Sequence, residues 1–402
     1  MIKASDFRRI INELFFISFM LILLLCVGEE IELSKRIVVF TVKGSKQILT
    51  AIILVITFGL TCIRKLHIKA DRVSELLIIR FLLYLIPCLF VRDSSQLQVG
   101  LIAAVACSVM AYTVGKENEC SDRFIALALG GAACVISIQV LITAFTRGLN
   151  INSSDLKWWM VIPIGQTNTI GTYFLPMMIL LDGLKNSKDG FRRYILVLIE
   201  ILLIASILLM GSRSTLILMV AYLAIRYLAP RAQISRSMIK RLLIVVPVVL
   251  VGVILLLFKN NGVAVRFVSQ FSLDSLTYTR FRVYQEALDV FGKHILFGRG
   301  AYAYKVFDAV MAHNFILESL IENGVIGSIS FFAALIICLK QLKRLGRFQN
   351  AYFYAVIFML IKALVEPTFY LASFEIFFWL LVGLGLRKEK GFNESPQQGI
   401  VR

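Results

Sequence analysis

His313 stands where the longest polar stretch of the chain runs into a long apolar one, with Asn314 beside it. Nine residues separate Asn314 from Gly324, and Gly327 follows three positions later. Imidazole titrates near neutral pH and is well suited to take a proton from a hydroxyl. Four arginines precede it in the same polar stretch: Arg266, Arg280, Arg282 and Arg299. Their guanidinium forks match the oxygens of phosphates and carboxylates. Glu318 and Glu322 follow on one face of a helix, where carboxylates in an apolar run must meet a protein-lined space or pair with arginine. A further arginine, Arg213, sits in the tight turn Gly211-Ser212-Arg213-Ser214 between two apolar runs. Ser212, Ser214 and Thr215 add hydroxyls there, and a helix start offers free backbone N–H groups to an oxyanion. Arginine at such a place also snorkels to headgroups and anchors the turn, a reading of equal weight on the residues alone. Together these side chains, at a membrane surface, fit an active site for chemistry on a lipid-linked anionic substrate.

The elements that must position them are membrane helices. The 402 residues are 58% hydrophobic and only 17% charged, with mean hydropathy +0.81. Apolar runs long enough to cross roughly 30 Å of hydrocarbon recur from end to end and do not alternate as barrel strands do. The expected class is an all-α polytopic membrane protein of about twelve transmembrane helices. The spans fall at Ile10–Val27, Gln47–Ile63, Val73–Val91, Leu97–Gly115, Phe124–Phe145, Thr169–Leu184, Tyr194–Met210, Thr215–Leu228, Leu242–Phe258, Phe315–Leu339, Ala351–Val365 and Tyr370–Leu386. Residues 1–387 then form one transmembrane domain, 259–312 its large loop between spans nine and ten, and 388–402 a tail. Most of the 43 Lys and Arg fall in connections that a cytoplasmic N-terminus would place inside, so both termini are expected in the cytoplasm and the large loop outside. The net charge of +18 is mostly topological on this reading, and no nucleic-acid partner is expected. The arginines of the large loop run against the rule and need another reason.

Seven cysteines form no CxxC pair, so zinc and redox motifs are absent. The first apolar run lacks a small-residue cleavage site and is read as a retained helix. No D-x-D stands in an outer connection, which disfavours metal-assisted transfer from a sugar nucleotide. No metal or cofactor is expected. Tyr278–Phe291 reads as an amphipathic helix, with Phe281, Tyr284, Leu288 and Phe291 on one face, lying flat on the outer leaflet. Gly298 and Gly300 flank Arg299 in a turn that permits close backbone approach. Asn314 suits a helix cap. Asn323-Gly324 marks a bend or a close helix contact, and Gly324 with Gly327 a small-residue packing face. His294 and His67 lie among polar or basic loop residues and read as solvated. Lys362 and Glu366 form an i, i+4 pair. Arg80 and Glu200 either partner each other or line a path.

These motifs resemble the O-antigen ligase and polymerase superfamily of bacterial membrane glycosyltransferases. His313-Asn314, nine residues, then Gly324-x-x-Gly327 is similar to its His-Asn-x9-Gly-x-x-Gly pattern. Thr279–Ala287 with Leu296-Phe-Gly-Arg-Gly300 resembles its arginine and glycine stretch, although His294-Ile295 stands where the family usually has proline. Gly211–Ser214 looks like its second arginine motif. The resemblance implies a GT-C-like fold in the bacterial cytoplasmic membrane, with the active site on the extracytoplasmic face. It implies a polyprenyl-diphosphate-linked oligosaccharide as donor, Arg213 and Arg280 gripping the diphosphate, and His313 activating an acceptor hydroxyl. Arg282, Arg299, Arg266, Asn314, Glu318, Ser212 and Ser214 are the further candidates for substrate binding. Membrane lipids and other polysaccharide assembly proteins are the implied partners. A polymerase of O-antigen or capsule, a ligase onto lipid A core, and a flippase or transporter remain the three readings, with the polymerase preferred.

Overall fold

The computed structural model describes residues 4–25, 45–64, 70–90, 96–120, 122–147, 161–162, 164–183, 190–228, 274–300, 312–344, 349–366, 368–369 and 372–387. Within them the chain is helical apart from one small hairpin. The first five helices are α1 (Ala4–Leu25), α2 (Ser45–Arg64), α3 (Arg72–Phe90), α4 (Gln96–Lys116) and α5 (Asp122–Arg147). The two-residue strands β1 (Val161–Ile162) and β2 (Gly165–Gln166) pair antiparallel and lead into α6 (Thr167–Gly183). Then come α7 (Gly190–Met210), α8 (Arg213–Leu228), α9 (Asp274–Lys293), α10 (Phe315–Arg344), α11 (Gln349–Ala363) and α12 (Ala372–Leu386).

A helix stands at eleven of the twelve expected spans; the remaining one, Leu242–Phe258, lies outside the described residues, as do Arg266 and the tail. The remaining helix, α9, falls between residues 259 and 312. Among the described residues, Phe124–Ala144 and Phe315–Arg344 are each long and apolar enough to cross a membrane. The chain's polar residues mark where helices begin. Asp71 caps α3: its carboxylate accepts from the Ser74 N–H at 2.9 Å, and its own N–H donates to the Ser74 hydroxyl at 2.8 Å. That reciprocal box satisfies two otherwise unpaired donors.

Small residues decide the closest packing. A Cβ on Gly383 would lie 2.2 Å from the Tyr112 carbonyl oxygen, and one on Gly115 2.5 Å from that of Leu380. α4 and α12 therefore meet backbone to backbone, as membrane helices do at small-residue faces. α3 runs along α10, and α6 along α11.

Polar contacts gather at two opposite ends of the bundle. At one end Lys116 pairs with Asp71 at 2.5 Å, Arg387 donates to the Cys120 carbonyl at 3.1 Å, and Arg226 and Tyr222 both bind Asp182. The starts of α6, α8 and α10 and the end of α11 form the other end, which carries the candidate site.

Candidate active site

At the entry to α10, Asn314 is the cap that its type predicted. Its side-chain oxygen accepts from the N–H groups of Ile316 at 3.0 Å and Leu317 at 3.3 Å, and its carbonyl from Glu318 at 2.9 Å. His313, just outside the helix and half-buried, has φ 51°, the one positive φ among described non-glycine residues. The fold holds the imidazole at the mouth of the helix through an uncommon backbone conformation. Glu318, one turn in, lies against the backbone N–H groups of His313 and Asn314, yet neither of its buried oxygens meets hydrogen-bond geometry. Glu322 accepts from the Tyr84 hydroxyl of α3 at 3.4 Å.

Two turns further, α10 breaks. Gly324 adopts φ 62°, ψ −168°, which removes two rungs of the helical ladder, Val325 N–H to Ile321 C=O and Ile326 N–H to Glu322 C=O. The loop 295–300 supplies all four missing partners. Val325 and Ile326 donate to the carbonyls of Ile295 (2.8 Å) and Leu296 (3.1 Å), while Arg299 and Gly300 donate to those of Ile321 (2.7 Å) and Glu322 (2.9 Å). Such close docking needs glycine on both sides. A Cβ on Gly298 would lie 2.4 Å from the Glu322 carbonyl carbon, and one on Gly324 2.3 Å from the Leu296 oxygen. Of the two sequence readings of Asn323-Gly324, the bend holds, and the close contact is made with the loop 295–300 rather than with a helix. Gly327 packs against the Asn323 side chain of its own helix.

α9 makes a contact that its sequence reading did not include. Val283, Ala287 and Val290 are buried, and Ala287 and Val290 pack on Ala312 and Ile321 with Phe291 and Leu317 at the margin; Leu288 of the expected stripe is 51% exposed. α9 thus docks on α10 through small and β-branched residues. Arg282 points away from this contact, 68% exposed and bound to Glu286 at 2.9 Å. Position 280 shares the face of Ala287, two turns before it; the Arg280 side chain lies outside the described residues.

The Gly211–Thr215 turn is held by side chains. Gly211 takes φ 63°, and Ser212 caps α8 through its carbonyl, which accepts from Leu216 at 2.9 Å. The Ser212 hydroxyl donates to the Asn168 oxygen at 2.8 Å, and the Asn168 amide donates to Glu366 at 3.0 Å. The Ser214 hydroxyl donates to the other Glu366 oxygen at 3.3 Å. Lys362, 1% exposed, donates to Ser214 and, at 3.5 Å, to Ser212. Arg213 itself is half-buried at the first position of α8. Sequence reading noted Lys362 and Glu366 as a pair but not that both reach this turn. Asn168 and Tyr84 carried no signal of their own. Arg80 binds Glu375, which also accepts from Ser108 at 3.1 Å, so Glu375 rather than Glu200 is its counter-ion.

The two halves are bridged by Phe369, three residues past Glu366, whose ring stands 5.5 Å from that of Phe315, two residues past His313. Ser212, Arg213 and Ser214 thus lie in one cluster, and Arg299, His313, Asn314 and Glu318 in the other, at the same end of the bundle.

Residues 198–332 match the family model of the O-antigen ligase. That stretch is similar to an O-antigen ligase domain. It runs from α7 into α10 and contains the Arg213 turn, α9, the 295–300 loop, His313 and the Gly324 break. The O-antigen ligase family supports a membrane glycosyltransferase-like enzyme. Asn168, Tyr84, Lys362 and Glu366 reach the O-antigen ligase domain from outside the matched residues. No curated protein matches the chain.

Proposed function

We propose that the protein is a polymerase of surface polysaccharide that transfers a polyprenyl-diphosphate-linked glycan to the hydroxyl of a lipid-linked repeat unit. The observation that carries this reading is the O-antigen ligase domain whose arginine turn and His313 lie at one end of the helical bundle. In the step, the acceptor oxygen bonds to the anomeric carbon as the bond from that carbon to the diphosphate breaks. The lipid diphosphate leaves with the electron pair, and His313 takes the hydroxyl proton. A diphosphate departs without being protonated, so Arg213 and Arg280 stabilise its growing charge in place of an acid or a metal. A single displacement inverts the anomeric centre. The basic-residue distribution supports cytoplasmic termini and a site on the outer face.

Purified protein given a synthetic lipid-linked repeat unit tests the reading. Chain growth is the expected result. Transfer only when a second acceptor such as lipid A core is added would make it a ligase, and no transfer to either would leave transport.

A further inference from the structure

We propose that Lys362 and Glu366 are positioning residues that fix the Arg213 turn at a set separation from His313; this rests on the roles given to those two residues above. Three observations lead there. First, the ammonium of Lys362 can only donate and the ionised carboxylate of Glu366 can only accept. Two routes run between them, one through Ser214 and one through Ser212 and Asn168. The two charges therefore set the direction of each hydroxyl and amide on those routes. Ser212 and Ser214 flank Arg213, so the turn is held on both sides of the arginine. Second, the pair is buried, Lys362 at 1% and Glu366 at 7% exposure. A buried charge pair is retained at a cost, and both of these charges reach this turn. Third, the same end of α11 reaches the other half of the site. The Glu366 N–H donates to the Lys362 carbonyl at 3.0 Å, and Phe369 just beyond packs its ring on Phe315 at 5.5 Å and edge to face on Phe331 at 5.4 Å. The end of α11 thus reaches the residues beside Arg213, and the chain just beyond it reaches Phe315, two residues past His313. Lys362 is 1% exposed and donates to the hydroxyls on either side of Arg213, which suits a support for Arg213 rather than a grip on substrate.

The test compares Lys362→Met, Lys362→Arg and the double variant Lys362→Met/Glu366→Gln, which leaves no lone buried charge and so guards against misfolding. Each is assayed with a synthetic lipid-linked repeat unit, and its affinity for a polyprenyl diphosphate is measured separately. Spin labels at the exposed positions Ile217 and Ile316 report the separation of the two halves without needing activity. Loose placement of a catalytic group costs on the order of 10²-fold. Lys362→Met and the double variant should lose about that much in kcat, keep polyprenyl-diphosphate affinity within about threefold, and broaden the spin-label distance distribution; Lys362→Arg should recover part of the rate. A weakened affinity with kcat intact would make Lys362 a substrate ligand and overturn the proposal. An unchanged distance distribution, or full turnover in both Met variants, would overturn it as well. The assigned roles of Arg213 and His313 fail by a different result: activity surviving Arg213→Ala and His313→Asn, whatever Lys362 does.

Discussion

The two halves of the site are built by opposite means. The Arg213 turn is held almost wholly by side chains, two of them charged and buried, reaching in from helices outside the O-antigen ligase domain. The His313 junction is held mostly by backbone, through a capped helix start and the four main-chain bonds that stitch loop 295–300 into the Gly324 break. Both halves of that second construction lie inside the matched domain. A backbone-built site depends on where glycine stands and tolerates change elsewhere; a side-chain-built site depends on the chemistry of each partner. The contrast says which substitutions should be ruinous and which graded.

The largest effect should come from the backbone side. Gly324→Ala puts a Cβ onto the Leu296 carbonyl and forces a left-handed conformation on an L-residue. We expect a loss of about 3 kcal/mol or more in stability, read as a large drop in thermal midpoint in detergent. A wild-type midpoint in Gly324→Ala would mean the break is not built as described. Arg213→Ala comes next, on the side-chain half. Each charge-assisted bond lost costs about 1.5–3 kcal/mol, or roughly 10- to 150-fold in rate, and Arg213→Lys should restore little because a point charge lacks the planar fork. Arg280→Ala should behave alike, whereas Arg282→Ala, exposed and turned from α10, should stay within about threefold of wild type. The reverse order in a transfer assay would exchange their roles.

The smallest effect lies at the far end of the bundle. Burial works against ionisation of Asp71, but bonds from Lys116, Ser74 and Tyr112 outweigh it and lower the carboxyl from 3.8 to about 2. A lowered folded-state pKa gives stability that is complete above the unfolded value and is lost as pH falls toward the folded one. The group is 27% exposed, so the contribution is about 1 kcal/mol after screening. Asp71→Asn should therefore lower the thermal midpoint at pH 7, and the difference from wild type should shrink as pH falls from about 4 through about 2. A gap independent of pH would assign the effect to packing.

What could be read in the chain follows the same division. Local features were legible: eleven apolar runs form helices, Asn314 caps one, and Gly298 and Gly324 permit the close approach their type allows. Long-range partners were not. Nothing in an apolar run records which helix will stand beside it, so the pairing of Arg80 with Glu375 and of Lys362 with the Ser214 hydroxyl had to await the packing. The face by which α9 docks on α10 is hidden for a related reason: Ala287 and Val290, which pack on Ile321, carry no periodic signal of their own beside the bulkier stripe.

The central claim is that His313 takes the acceptor proton. The most direct measurement is single-turnover transfer by His313→Asn, since asparagine tolerates the positive φ found there and leaves the junction folded. The account predicts unchanged polyprenyl-diphosphate binding with transfer slowed on the order of 10²–10⁴-fold. Transfer within about threefold of wild type, with the same pH profile, would contradict it and leave the arginines as a binding site alone.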